Sequence, residues 1–140
     1  WAQKDVLALM EEMWKFVTPG KHGVNTTHLF TKGLGAFAAS KGVTLPLREL
    51  DIAAREHIAS AGYGEYFTHR LGHFIGQTEH EKGDVSAVTE LVAKPGMIFS
   101  IEPGVYLPGQ FGVRVEDLVL VTEEGCEILN HVDKHWKTVG

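Results

Sequence analysis

Six residues in the middle and later part of the chain carry groups able to work together. They are His69, His73 and His80 in the stretch THRLGHFIGQTEHE, followed by Glu102, Arg114 and Glu116. Imidazole and carboxylate together suit Zn, Mn, Fe or Co, and one histidine with several carboxylates favours Mn or Co, with Zn open. The glycine-broken segment around the histidines is not helical, so the two-histidine, one-turn arrangement of the HExxH zinc enzymes does not apply. A lone histidine in such a segment is more often structural than a ligand. Three histidines followed by two strand-borne glutamates are harder to explain that way.

The glutamates depend on strands for their placement. KPGMIFSIEPG reads as one strand, and its alternation puts Met97, Phe99 and Ile101 on one side and Ile98, Ser100 and Glu102 on the other. FGVRVEDLVLVTEEGCEIL reads as another, ending in the turn TEEG. There Arg114, Glu116, Leu118 and Leu120 share one face, and Val113, Val115, Asp117, Val119 and Val121 the other. Carboxylates in such strands need a cation, a hydrogen-bond network or a raised pKa. Arg114 supplies one cation, and an Arg–Glu pair on a solvated sheet face fits the strand pattern equally well.

Upstream of these strands the pattern is helical. Val6, Leu7, Leu9, Met10, Met13, Trp14 and Val17 fall near helical spacing from Ala2 to Val17, and TPG at Thr18 to Gly20 stops the run. Asn25, Thr26 and Thr27 offer caps for a second helix to about Ser40, which Gly33 and Gly35 weaken. Thr44 and Pro46 supply a cap and an early-turn proline for a third, which runs through Leu47, Leu50, Ala54 and Ile58 to a terminator at Gly62. Helices first and strands after predict an α+β domain, with helices packed on one face of a largely antiparallel sheet. No repeat, low-complexity tract or linker interrupts the chain, so one domain is expected over residues 1–140.

The totals exclude several classes of partner. The chain has 140 residues, 44% of them hydrophobic, which suits a single globular core. A net charge of -5 without a basic cluster gives no footprint for nucleic acid or for a membrane surface. No apolar run approaches the ~20 residues of a membrane span. Cys126 is the single cysteine, which rules out an internal disulfide and fits a reducing, cytoplasmic setting.

Three segments, HRLGHFIGQTEHE, KPGMIFSIEPGVY and GVRVEDLVLVTEEGCEIL, resemble the pita-bread metallopeptidases in order and wording. That family includes Xaa-Pro dipeptidase (prolidase), aminopeptidase P, methionine aminopeptidase and the metal-free creatinase. The match runs clearly from Glu65 to Leu129, and RVED, GHFIG and HEKGD look closest to the Xaa-Pro branch. The resemblance implies the C-terminal half of a pita-bread fold, with a curved, largely antiparallel sheet, and hydrolysis of the peptide bond preceding proline. It implies that His73, Glu102 and Glu116 are metal ligands and that Arg114 orients the acidic groups from behind them. His80 would stabilise charge on the scissile carbonyl, Glu102 would also pass a proton to the leaving amine, and His69 would lie near the proline pocket. Two divalent ions, Mn, Co or Zn, are implied, together with a proline-containing peptide as substrate and a homodimer as the assembly.

The resemblance also exposes a gap. The family's dinuclear site uses two further aspartates from strands upstream of the metal-binding histidine. Only Asp5 and Asp51 precede His73 here, and both fall in helical patterns. The expectation is an incomplete catalytic domain that lacks its Asp-bearing N-terminal half, holds at most a partial metal site and is inactive alone. The start at Trp1 rather than Met agrees with a piece of a longer polypeptide. Two alternatives stand beside this one: a non-catalytic pita-bread binding module, and a metal-free, creatinase-like hydrolase with His73 as general base and acid.

Overall fold

The computed structural model describes residues 45–123 and 125–131. The helices expected before Ser40 and the Thr44 cap lie outside them. Helix α1 spans Arg48–Ser60, with Ala54 and Ile58 buried and acidic Glu49 and Asp51 in its first turn, where the helix dipole favours negative charge. It starts two residues after Pro46 rather than at it. Pro46 forms an antiparallel bridge with Val92, and Leu47 takes the N-cap position without a side-chain cap. The expected stop at Gly62 holds, because that residue adopts a φ of 86°, open to glycine at little cost.

Among the described residues a 3₁₀ turn, Gly64–Tyr66, leads into seven strands: β1 Gly72–Phe74, β2 Glu81–Val85, β3 Ile98–Ile101, β4 Gly104–Leu107, β5 Phe111–Arg114, β6 Asp117–Thr122 and β7 Gly125–Ile128. Five form one sheet in the order β2-β1-β3-β6-β7, and β4 and β5 form a separate ribbon. Every paired neighbour is antiparallel, as the sequence predicts. The core joins Leu47, Ala54 and Ile58 from the helical side to Phe67, Leu71, Val85, Phe99, Ile101, Val119 and Val121. Among the described residues no helix is long and apolar enough to cross a membrane.

The strand expected through FGVRVEDLVLVT is in fact two. β5 ends at Arg114 in the ribbon and β6 begins at Asp117 in the main sheet. In the main sheet Ile101 pairs with Asp117, and in the ribbon Gly104 pairs with Arg114, so one register runs through both. Within that register Pro103 falls opposite Val115. Proline has no N–H to give, and the ladder is interrupted there, with only Val115 N–H donating to the Pro103 carbonyl at 3.3 Å. The MIFSIE strand is likewise shorter than expected. It pairs only over Ile98–Ile101, and Phe99, Ser100 and Ile101 are all buried, so neither of its faces is solvated.

Candidate active site

The site begins where two strands come unusually close. A side chain at Gly72 would collide with the carbonyl oxygen of Ser100, so only glycine lets β1 lie this near β3. The next residue, His73, donates its backbone N–H to Ser100 Oγ at 3.0 Å, and the Ser100 hydroxyl donates to Glu102 Oε1 at 3.1 Å. Glu102 N–H in turn donates to the Leu71 carbonyl at 2.8 Å. His73 and Glu102 are buried, and His73 Nε2 lies 3.3 Å from Glu102 Oε1. Irregular pairing between β1 and β2 at His73/Phe74 re-aims the strand at this point.

The second glutamate arrives through the shared register. Glu102 follows Ile101 and Glu116 precedes Asp117, so the two carboxylates stand across from each other at the interruption of the ladder. Like charges in such a pairing repel. Arg114 lies between them, with Nη1 3.4 Å from Glu102 and Nη2 3.9 Å from Glu116. The side chains of Arg114 and Glu116 are half exposed, whereas Glu102 is only 8% exposed.

The other two histidines flank this pair. His80 stacks on His73 with ring centroids 3.9 Å apart, and its loop is fastened by Gln77 N–H donating to Glu81 Oε1 at 2.8 Å and by Thr78 Oγ donating to the His80 carbonyl at 2.9 Å. His69 sits farther along, edge-on to Phe67 at 5.2 Å. Its Nδ1–H donates to the Arg70 carbonyl at 2.7 Å, which leaves Nε2 to accept from the Tyr106 hydroxyl at 3.2 Å. Tyr106 lies over its ladder partner Gly112, where a Cβ would come within 2.6 Å of the ring.

The structure thus brings His73, Glu102, Arg114, Glu116 and His80 into one neighbourhood, with His69 on its flank. Glu116 reaches Glu102 only through Arg114, and among the described residues no group of three or more His, Cys, Asp or Glu side chains converges as a metal cluster. The donor types nevertheless fit a divalent ion. A carbonyl can only accept, so the 3.1 Å contact with Phe74 fixes the proton of His73 on Nδ1. In the neutral ring Nε2 then points a lone pair at a carboxylate oxygen, an arrangement that requires a proton or a cation between them. The fit is right in kind and short in number. Asp51 does not extend the set, because it is fully buried and engaged by Arg55 and by Leu71 N–H.

Residues 4–123 match metallopeptidase family M24. The chain belongs to that family. An uncharacterised peptidase of Staphylococcus haemolyticus is 43% identical over 120 residues, which cover 86% of this chain and 34% of that protein. The dipeptidase PepE of Mycobacterium ulcerans superposes with a TM-score of 0.62 at 44% identity, over 71% of this chain and 28% of its own. The prolidase of Pyrococcus furiosus gives a TM-score of 0.63 at 37% identity, over 84% and 35%. The chain therefore spans about a third of the length of the relatives it matches. The α+β, pita-bread architecture expected from the three motifs is the one these neighbours share with it.

Four residues contribute to the site without standing out in the sequence. Ser100 shares the Glu102 face two residues away, and that spacing is the sequence sign of their contact. Tyr106 lies within the GVY that ends the second motif. Asp51 and Arg55, four apart in α1, carried the ordinary signature of a solvated helix pair, yet Asp51 is fully buried.

Proposed function

We propose that this chain is the ligand-bearing part of a metal-dependent Xaa-Pro dipeptidase or aminopeptidase, which hydrolyses the bond preceding proline in a small peptide. The observation that carries this reading is the facing pair His73 Nε2 and Glu102 Oε1 at 3.3 Å, with Glu116 across the interrupted ladder. Membership in a metallopeptidase family and the prolidase neighbours support it.

In this reading His73, Glu102 and Glu116 hold a divalent ion, with Mn, Co and Zn all suited to the donors. When bound, the ion polarises the substrate carbonyl and makes water nucleophilic near neutral pH. The chain's own residues do the remainder. His80 donates a hydrogen bond to the carbonyl oxygen as charge develops on it, Glu102 relays a proton toward the leaving amine, and His69 contacts the substrate on the proline side. Arg114 balances the two carboxylates and fixes their direction. The paired aspartates of the family's dinuclear site have no counterpart in the described strands, so this chain by itself is proposed to hold a partial site and to be inactive. The proposed setting is cytoplasmic.

Metal analysis of the purified protein tests the ligand set. Near-stoichiometric Mn, Co or Zn that is lost in His73→Ala is expected, and failure to bind any of the three at high micromolar supply would sink the reading that this chain holds a metal site on its own. Hydrolysis of Gly-Pro or Ala-Pro by a protein supplying the upstream aspartates tests the substrate class. Turnover of creatine with none of prolyl peptides would transfer the reading to the creatinase branch.

A further inference from the structure

The backbone from Phe67 to Leu71 carries His69 and ends beside Glu102, but it belongs to no strand until Gly72. Its hydrogen-bonding groups are met instead by two side chains of α1. Arg55 Nη1 donates to the Phe67 carbonyl at 3.1 Å, and Nη2 donates to the His69 carbonyl at 2.6 Å. Asp51 Oδ1 accepts from Leu71 N–H at 2.8 Å. The three anchored residues alternate along the chain, as the pairing groups on one edge of an extended segment do. Asp51 and Arg55 thus take the place of a neighbouring strand.

The clamp is internally braced. Arg55 Nε donates to Asp51 Oδ2 at 2.5 Å, and Asp51 is fully buried. A carboxylate removed from water in this way is sustained by its cation and by the Leu71 N–H together. The face of the guanidinium covers the Phe67 ring at 4.5 Å, and that ring meets the edge of His69. On the far side the Leu71 carbonyl accepts from Glu102 N–H. A single ion pair in the helix therefore connects to His69 through one carbonyl and one ring contact, and to Glu102 through one residue, Leu71.

We propose that Asp51 and Arg55 are positioning residues, which set His69 for the substrate and hold the backbone against which Glu102 is placed. This rests on the reading of His69 and Glu102 given above. Neither Asp51 nor Arg55 touches the reacting atoms. Their effect runs through the fork geometry of arginine, which an amine of equal charge does not reproduce.

The test uses the protein labelled with ring-13C histidine, with the His69 signal assigned from His69→Gln and the β6 methyls of Val119 and Val121 as a monitor of the fold. In Arg55→Lys, which keeps the charge beside Asp51 but loses the fork, the His69 ring signals should shift or broaden while the β6 methyls stay in place. Asp51→Asn should move the Leu71 amide as well. In the active protein Arg55→Lys should lower kcat/KM for Gly-Pro by roughly tenfold or more, chiefly through KM. His69 signals at their wild-type positions in a folded Arg55→Lys or Arg55→Ala protein would overturn the proposal. If His69→Gln itself leaves KM unchanged, the substrate role of His69 falls, and the displaced ring signals still report the clamp.

Discussion

The two glutamates of the candidate site stand in one register yet live in different surroundings. Glu102 belongs to a buried wall, fixed by Ser100, by the Leu71 carbonyl and by His73. Glu116 belongs to an exposed rim, where Arg114 approaches it at 3.9 Å and water competes for both. The wall is set by packing and by directional hydrogen bonds, so it persists whatever ion is present. The rim is set by charge balance among exposed groups. One half of the site is therefore buried and hydrogen-bonded, and the other is exposed and held by charge alone.

Substitutions can break that contrast in graded steps. Gly72→Ala should have the largest effect, because the added methyl collides with backbone and must push β1 off β3. We expect about 3 kcal/mol of lost stability in urea unfolding, with the β1 amides losing protection from exchange. A neutral Gly72→Ala would mean that the wall is softer than its geometry implies. Ser100→Ala leaves the fold's outline but removes the hydroxyl that links His73 N–H to Glu102, and should cost about 2 kcal/mol. Arg114→Ala, on the rim, should cost less than about 1 kcal/mol in metal-free protein, with the difference shrinking as salt is added. An effect equal to that of Ser100→Ala would erase the distinction between wall and rim.

Cys126 on β7 provides a control outside both regions. Burial pushes its thiol from the ordinary 9.0 up to about 11. Folding favours the neutral thiol, so this contribution to stability is complete below pH 9.0 and is lost as pH rises through about 11. Alkylation of the folded protein should accelerate up to about pH 11, whereas the urea-unfolded chain should level off near 9.0. None of the three substitutions above should move that profile.

The order of α1 before the strands and the antiparallel sheet were legible, because alternation acts locally, whereas Glu102 and Glu116, expected within strands, lie instead just past β3 and between β5 and β6. The break between β5 and β6 does not show in the alternation of the sequence, although its cause, Pro103, does. Pro103 cannot donate to a ladder partner, and that partner, Val115, lies twelve positions away in sequence, so the effect shows only once the register is known. Asp51 was legible as a helix residue and illegible as a buried one. An i,i+4 Asp–Arg pair looks the same in sequence whether it faces water or anchors an extended segment, and only tertiary packing decides between the two. The stacking of His80 on His73 likewise depends on a loop closed by Glu81.

The continuous register from β3 through β6 also bears on how the chain folds. Glu102 and Glu116 face each other within one local hairpin, whose closure costs little loop entropy. We expect that hairpin to form before β1 and α1 dock, so a counter-ion that relieves the repulsion of the two carboxylates should speed refolding as well as strengthen the finished protein, a change that stopped-flow refolding with and without divalent ion would register.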